Sequence, residues 1–295
     1  MKKYIVYILV FSFILLIPTF GLFICPNTDE IENRELVELP SEFNSDYLNQ
    51  LGDYYNDHFG FRSYLVTINS MIQSKLFKNS PTSNVVLGND NWLFYEGTLD
   101  DYQGLNTLTV REQNALSHNL QLMQDYVESN GSTFVFTIAP NKNSLYSDNM
   151  PYYYSKGDVS NMDLVNLDSI HYVDLFDLFK QKEEILYFHR DSHWNNKGAM
   201  LAYNEIMDFI GKNHESYRNV PFDKEVIHEG DLDSMLYPKA ISLEEEYVYK
   251  NDEEINNLMT PLENYLIDNP DIARDELSGE SLDRSYLSLG RIALW

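Results

Sequence analysis

Apolar positions follow three different rhythms along this chain. Tyr4 to Cys25 is an almost uncharged apolar run, about the length a helix needs to cross a hydrocarbon core of roughly 30 Å. Pro26 to Asn44 is largely polar and includes Pro40, the pattern of an extended linker. Between Tyr47 and Phe77, Leu48, Leu51, Tyr55, Phe59, Leu65, Ile68 and Ile72 recur at helical spacing with a break at Gly60, which predicts two helices and a tight elbow. Val85-Val86-Leu87 and Trp92-Leu93-Phe94-Tyr95 flank Gly88-Asn89-Asp90-Asn91, a β-hairpin signature. Val110 to Asn130 reads as a helix, with Thr109 and Glu112 as its cap and Asn130-Gly131 as its stop. It feeds Thr133 to Ile138, whose β-branched and aromatic residues predict a buried parallel strand. Tyr172-Val173-Asp174 and Leu186-Tyr187-Phe188 predict further short strands, and Asn196 to Ile210 a helix. Helices that feed buried strands build open parallel sheets flanked by helices, so the fold class is α/β.

Composition narrows the function. The 295 residues carry 46 Asp and Glu against 21 Lys and Arg, a formal charge of −25, and 43% of them are hydrophobic, ample for a core. A field of that sign repels phosphate backbones, and no local basic patch offsets it, so nucleic acid is not an expected partner. The single Cys25 excludes an intramolecular disulfide framework and a cysteine-rich metal site. Lys2-Lys3 precedes the apolar run and Asp29, Glu30 and Glu32 follow it. That asymmetry predicts a cytoplasmic N-terminus and a single-pass cell-membrane protein with its main domain outside. The expected organisation is a transmembrane signal-anchor over residues 1–25, a linker over 26–44 and one domain over 45–295. A cleavable signal peptide is the alternative, although no small-x-small site follows the run.

Candidate chemistry concentrates in Phe188-His189-Arg190-Asp191-Ser192-His193-Trp194. Asp191 and His193 lie two apart at the end of a predicted strand, where open α/β sheets place their ligands. A carboxylate beside a histidine fixes its tautomer and raises its basicity, as a hydrolase or acyltransferase needs when it deprotonates a serine. Asp-x-His alone is also compatible with a capped turn and a packed histidine. A third reading is zinc: on an extended chain His189, Asp191 and His193 alternate onto one face. Lys142 and Tyr146 follow a strand end and are candidates to line the site and contact its substrate.

Asp191-Ser192-His193-Trp194 with Lys197-Gly198-Ala199 resembles the Asp-x-His-Trp signature of the AlgX/AlgJ-type alginate O-acetyltransferase family, an SGNH hydrolase-like group. Further landmarks of that family are resembled in order by Glu32-Asn33-Arg34, Asp57-His58-Phe59-Gly60-Phe61-Arg62, Gly88 to Phe94, and Ala139-Pro140-Asn141-Lys142 with Tyr146. The resemblance extends from the apolar run to about Leu236. It implies an SGNH hydrolase-like domain that acetylates an exopolysaccharide or cell-wall glycan through a Ser-His-Asp acyl-enzyme. Asp191 and His193 would be catalytic, and a membrane-bound O-acyltransferase would supply the acyl group. No cofactor and no metal are called for.

The family's serine follows the Asp-x-His motif. The comparable segment is Tyr286-Leu287-Ser288-Leu289-Gly290-Arg291, with Leu287 where an acidic residue is expected. Ser288 is therefore the candidate nucleophile. Because the chain stops at Trp295, the C-terminal part of the domain is expected to be incomplete. The alternatives are an inactive or truncated envelope protein that binds polysaccharide or scaffolds its export, or a carbohydrate esterase.

Overall fold

The structure, a computed structural model, describes residues 2–28, 36–211 and 221–249. The helices are α1 (Lys2–Ile24), α2 (Tyr47–His58), α3 (Arg62–Leu76), α4 (Leu99–Gln103), α5 (Val110–Ser129), α6 (Lys142–Leu145), α7 (Asn161–Leu164), α8 (Leu175–Lys180), α9 (Asn196–Ile210) and α10 (Asp231–Leu236). The strands are β1 (Val85–Leu87), β2 (Leu93–Tyr95), β3 (Phe136–Thr137), β4 (Tyr172–Val173), β5 (Phe222–Glu229) and β6 (Leu243–Tyr249), paired as β1-β2, β3-β4 and β5-β6. The chain divides into two compact units, Met1–Trp194 with Val226–Glu245, and Asn195–Glu225 with Glu246–Trp295.

In the first unit, β1 and β2 form the expected antiparallel hairpin, with Leu87 opposite Leu93. Asp90 and Asn91 both take positive φ, 53° and 66°, a reversal matching the twist of the strands; Asn and Asp tolerate this region better than other side chains. Both hairpin faces are buried. Val85 and Leu93 pack with Leu232, Met235, Leu236 and Tyr237, while Val86, Trp92 and Phe94 pack with Leu99, Tyr102 and Met150. One face therefore fixes α10 and the other fixes α4.

Helix α5 begins at a complete capping box: Thr109 accepts from the Glu112 amide and the Glu112 carboxylate accepts from the Thr109 amide. Its buried Gln124 donates to Ser169 O at 3.0 Å and accepts from the His171 amide at 2.7 Å, which seats the segment entering β4. Strands β3 and β4 are parallel, as an α/β chain requires, with Phe136 opposite Tyr172. The pairing covers only two residues of the Thr133 to Ile138 run, and Ile138 is 39% exposed. Leu186 to Phe188 contributes only a bridge, from Tyr187 to Trp194.

Asn27 and Val37, in the segment expected as a spacer, are fastened to the elbow between α2 and α3. The Asn27 amide group donates to Asp57 O at 3.0 Å, and the Val37 N–H donates to the buried Asp57 carboxylate at 2.9 Å. His58 bonds both Asn27 O and Val37 O through its two ring nitrogens.

In the second unit, Asn195 caps α9 by accepting from the Gly198 amide at 3.0 Å. The Asn196 side chain donates to Tyr247 O, and the Lys197 ammonium lies over the Phe222 and Tyr247 rings.

Candidate active site

Beyond Phe188 the chain turns back rather than continuing extended: the Phe188 amide donates to His193 O, and Tyr187 bridges to Trp194. The turn puts Asp191, only 4% exposed, at the centre of a small network. One carboxylate oxygen accepts from His193 Nδ1 at 2.8 Å and from the His193 amide at 2.7 Å. The other accepts from His228 Nε2 at 2.9 Å and from the Asp231 amide at 3.0 Å. Burial by itself would raise the Asp191 pKa, but the hydrogen bonds from His193 and His228 and the charge of His193 hold it well below the usual carboxylate range. Asp191 is thus a fixed anion with all its acceptor directions filled. Its grip on Nδ1 sets the His193 tautomer and assigns the proton-accepting role to Nε2.

His228, Gly230 and Asp231 make the facing wall. The His228 ring stacks flat on Phe188, with centroids 3.6 Å apart and an interplanar angle of 4°. A Cβ on Gly230 would come within 2.3 Å of Arg190 O and 2.7 Å of Arg190 C, so only glycine lets this wall reach the Asp191 turn. Gly230→Ala is expected to push the walls apart, at a cost on the order of 1–3 kcal/mol. The checks are a lower melting temperature and loss of the hydrogen-bonded imidazole N–H signal of His228 in proton NMR.

Asp231 accepts from the Ser192 hydroxyl and amide. Burial and the neighbouring Asp191 charge raise its pKa, partly opposed by those Ser192 bonds. A carboxyl raised in the folded state contributes stability below its unfolded pKa and loses it as pH rises through the folded value. Asp231→Asn, which is never charged and keeps an acceptor for the Ser192 amide, should therefore melt a few degrees higher than the parent at pH 7. The gain should vanish near pH 3.5, which thermal melts at the two pH values would check.

Lys142 supports the turn from beneath. The residue is 6% exposed, and its ammonium donates to Leu93 O at 2.6 Å, His189 O at 2.9 Å and Asp191 O at 2.8 Å and lies over the Trp92 and Phe94 rings. Burial pulls it down to about 7, against Glu244, Asp191 and Asp231, which raise it. Tyr146 packs against Trp92 with its ring tilted by 34° and accepts from the Leu186 amide at 2.8 Å. Arg190 donates to the fully buried Asp233, and the Glu244 carboxylate accepts from the His189 and Arg190 amides. The expected substrate contacts, Lys142 and Tyr146, thus have their polar ends engaged by backbone groups.

The sequence-predicted pair Asp191 and His193 is brought together. Ser288 lies outside the described residues. Ser192 Oγ stands 3.2 Å from His193 Nδ1, the nitrogen already held by Asp191, so it braces the loop rather than completing a relay. The alternating zinc set does not converge, because the turn directs His189 Nδ1 to Glu244, 3.3 Å away. Asp191, His193 and Asp231 do offer three donor atoms within 4.8 Å of one another. An ion there would have to displace the Asp191–His193 and Ser192–Asp231 hydrogen bonds. His228 and Asp231 escaped the sequence analysis because they lie 37 and 40 residues from Asp191 and match no short motif.

The family described as the SGNH hydrolase-like domain of acetyltransferase AlgX matches residues 85–258, more than half of the chain. No curated protein matches the sequence. Among solved structures, the O-acetyltransferase domain of Pseudomonas putida AlgJ is 20% identical over 56% of this chain and 63% of its own, with a TM-score of 0.40. Bacillus cereus PatB1, solved with a sulfonyl adduct, is 18% identical over 57% of each chain, with a TM-score of 0.41. Pseudomonas aeruginosa AlgX is 17% identical over 56% of this chain and 43% of its own, with a TM-score of 0.38. The chain therefore spans less than two thirds of the length of each of these structures. By the match over residues 85–258, this chain belongs to the AlgX family of SGNH hydrolase-like acetyltransferase domains.

Proposed function

We propose that the chain is an O-acetyltransferase acting on hydroxyls of an exopolysaccharide or cell-wall glycan, held in the cell membrane by α1 with its domain outside the cytoplasm. The observation that carries the reading is the 2.8 Å bond between His193 Nδ1 and a buried, anionic Asp191, in a chain of acetyltransferase family. His193 Nε2 takes the proton of a serine hydroxyl as its oxygen bonds to the acetyl carbon of the donor. The proton then passes to the donor's leaving group as its bond to the acetyl carbon breaks. A sugar hydroxyl attacks the acetyl-serine and gives its proton to His193, the bond from the acetyl carbon to the serine oxygen breaks, and His193 returns the proton to that oxygen as the sugar ester leaves. Ser288 is the proposed nucleophile, and a membrane-bound O-acyltransferase the proposed acyl supplier. Support for the anchor is Tyr4–Ile24, a helix long and apolar enough to span, with Lys2-Lys3 before it.

The test is intact mass of the full chain in detergent after exposure to an activated acetyl ester. A single added acetyl is expected, absent from Ser288→Ala and His193→Ala, and transferred on addition of oligosaccharide. No adduct on a folded sample would sink the reading, and free acetate without sugar acetylation would redirect it to an esterase.

A further inference from the structure

Helix α3 is amphipathic in the wrong sense for a soluble domain. Its buried positions are Ser63, Thr67, Ser70 and Ser74, small and polar. They face the domain: Tyr237 donates its hydroxyl to Ser74 Oγ at 2.6 Å, the Lys239 amide donates to Thr67 Oγ1 at 3.0 Å, and Ser63 Oγ donates to the Asn27 side chain. The outward positions are Phe61, just before the helix, then Tyr64, Leu65, Ile68, Ile72 and Leu76, between 39% and 73% exposed. At 100° per residue they fall within an arc of about 120°, an apolar stripe interrupted only in the last turn, where Lys75 lies in the same arc.

Charge along this part of the chain is equally anomalous. Residues 58–89 contain no Asp or Glu, although the chain carries 46, and they hold Arg62, Lys75 and Lys78. The stripe also begins where α1 is fastened. The Gly60 amide donates to Pro18 O at 2.9 Å, and the Thr19 and Tyr55 hydroxyls bond at 2.9 Å. The Gly21 and Gly60 backbones meet so closely that a Cβ on Gly60 would lie 2.2 Å from Gly21 Cα. Gly21 is three residues from the end of α1, about 4.5 Å along the axis. If α1 spans, the elbow sits at the level where hydrocarbon gives way to headgroups.

We propose that the Phe61–Leu76 face of α3 lies in the outer membrane–water interface, its apolar stripe among the upper acyl chains and Lys75 and Lys78 among anionic headgroups. It rests on the reading of α1 as a membrane span. An interfacial helix of this kind buries its apolar face roughly 5–10 Å into the headgroup and acyl boundary. Basic side chains at its C-terminal end, Lys75 in the last turn and Lys78 just beyond it, then gain from anionic lipid. Two attachments, one spanning and one lying flat, fix the domain's orientation on the membrane, whereas a lone span leaves it free to swivel.

The test uses the full chain in phosphatidylcholine–phosphatidylglycerol liposomes, with Cys25, the only cysteine, replaced by serine. A fluorophore is placed on single cysteines at Ile68, at Ile72, at Phe13 within α1, and at Tyr126 on α5, 73% exposed. Nitroxide on the upper acyl chain should quench Ile68, Ile72 and Phe13 at least several-fold more than Tyr126, and aqueous iodide should show the reverse order. Lys75→Glu with Lys78→Glu should reduce lipid quenching at Ile68 several-fold while the circular dichroism spectrum is unchanged. If Ile68 is as open to iodide as Tyr126 while Phe13 stays lipid-quenched, the proposal fails and the anchor stands. If Phe13 is open to iodide as well, both fail. If Ile68 is shielded from both quenchers, a protein surface covers α3 and the lipid proposal is overturned.

Discussion

Asp191→Asn is expected to lower the proposed acetyl transfer by roughly 10⁴-fold, the scale seen when the orienting carboxylate of a serine–histidine relay becomes an amide. The reason lies in how many donors this one carboxylate serves. Two point at one oxygen, His193 Nδ1 and the His193 amide, and two at the other, His228 Nε2 and the Asp231 amide. An asparagine offers one acceptor atom and a donating NH₂. With its oxygen toward His193, the NH₂ confronts the Asp231 N–H and opens the facing wall. With its oxygen toward Asp231, the NH₂ confronts the His193 amide and forces Nδ1 to accept, which leaves the proton on Nε2. Either outcome removes the anion that would stabilise a protonated His193 in the proposed transfer. Single-turnover acetylation by intact mass, with His193→Ala in parallel, is the check, and activity within tenfold of the parent would remove Asp191 from the relay. The asparagine variant should also unfold in acid less steeply than the parent. The Asp191 pKa is depressed in the folded state, so its stabilising contribution is present above the unfolded carboxyl range near 4 and is lost as pH falls through that range and below it.

How far the molecule could be read from its sequence tracks the range of the interactions that decide each feature. The helix from Val110 is fixed by contacts within four residues, Thr109 with Glu112, and its start is where the sequence places it. The same holds for α9, entered by the Asn195 cap, and for the hairpin turn at Asp90 and Asn91. Strands were less legible. Thr133 to Ile138 has the side chains of a buried strand, yet pairing needs a partner supplied 36 residues later, and β4 meets only Phe136 and Thr137. The very polar β5, all but one of whose residues are exposed, gave no periodic signal at all. On α3 the period was legible but not its direction, because nothing local says that Ser63, Thr67, Ser70 and Ser74 would be the buried side. The Asp191–His193 pair was legible because its members lie only two positions apart. The wall that fills the second oxygen of Asp191 depends on Gly230 and on a chain reversal no motif announces.

Lys142→Met should be the most destabilising of these changes, on the order of 3–5 kcal/mol, because methionine fills the volume but leaves the Leu93 and Asp191 carbonyls without their donor and His189 O with only the Leu93 amide. Those carbonyls belong to two separate parts of the chain: Leu93 in β2, and His189 and Asp191 on either side of Arg190 in the turn. The ammonium therefore ties the hairpin to the Asp191 loop at the point where the loop reverses. For a domain of this size the loss corresponds to a fall in melting temperature of about 10 °C or more. Its pH dependence has a definite sign. Burial pulls the folded value down to about 7, below the unfolded value near 10.4, so the folded state binds fewer protons between those limits. Stability from Lys142 is thus greatest above pH 10 and is lost as pH falls towards 7. The gap between the parent and Lys142→Met should accordingly widen from pH 7 to pH 10 in thermal melts, with Lys156→Met, on an exposed lysine, as the matched control. A gap that is small, or that narrows with rising pH, would mean that the Asp191 loop holds its shape without Lys142.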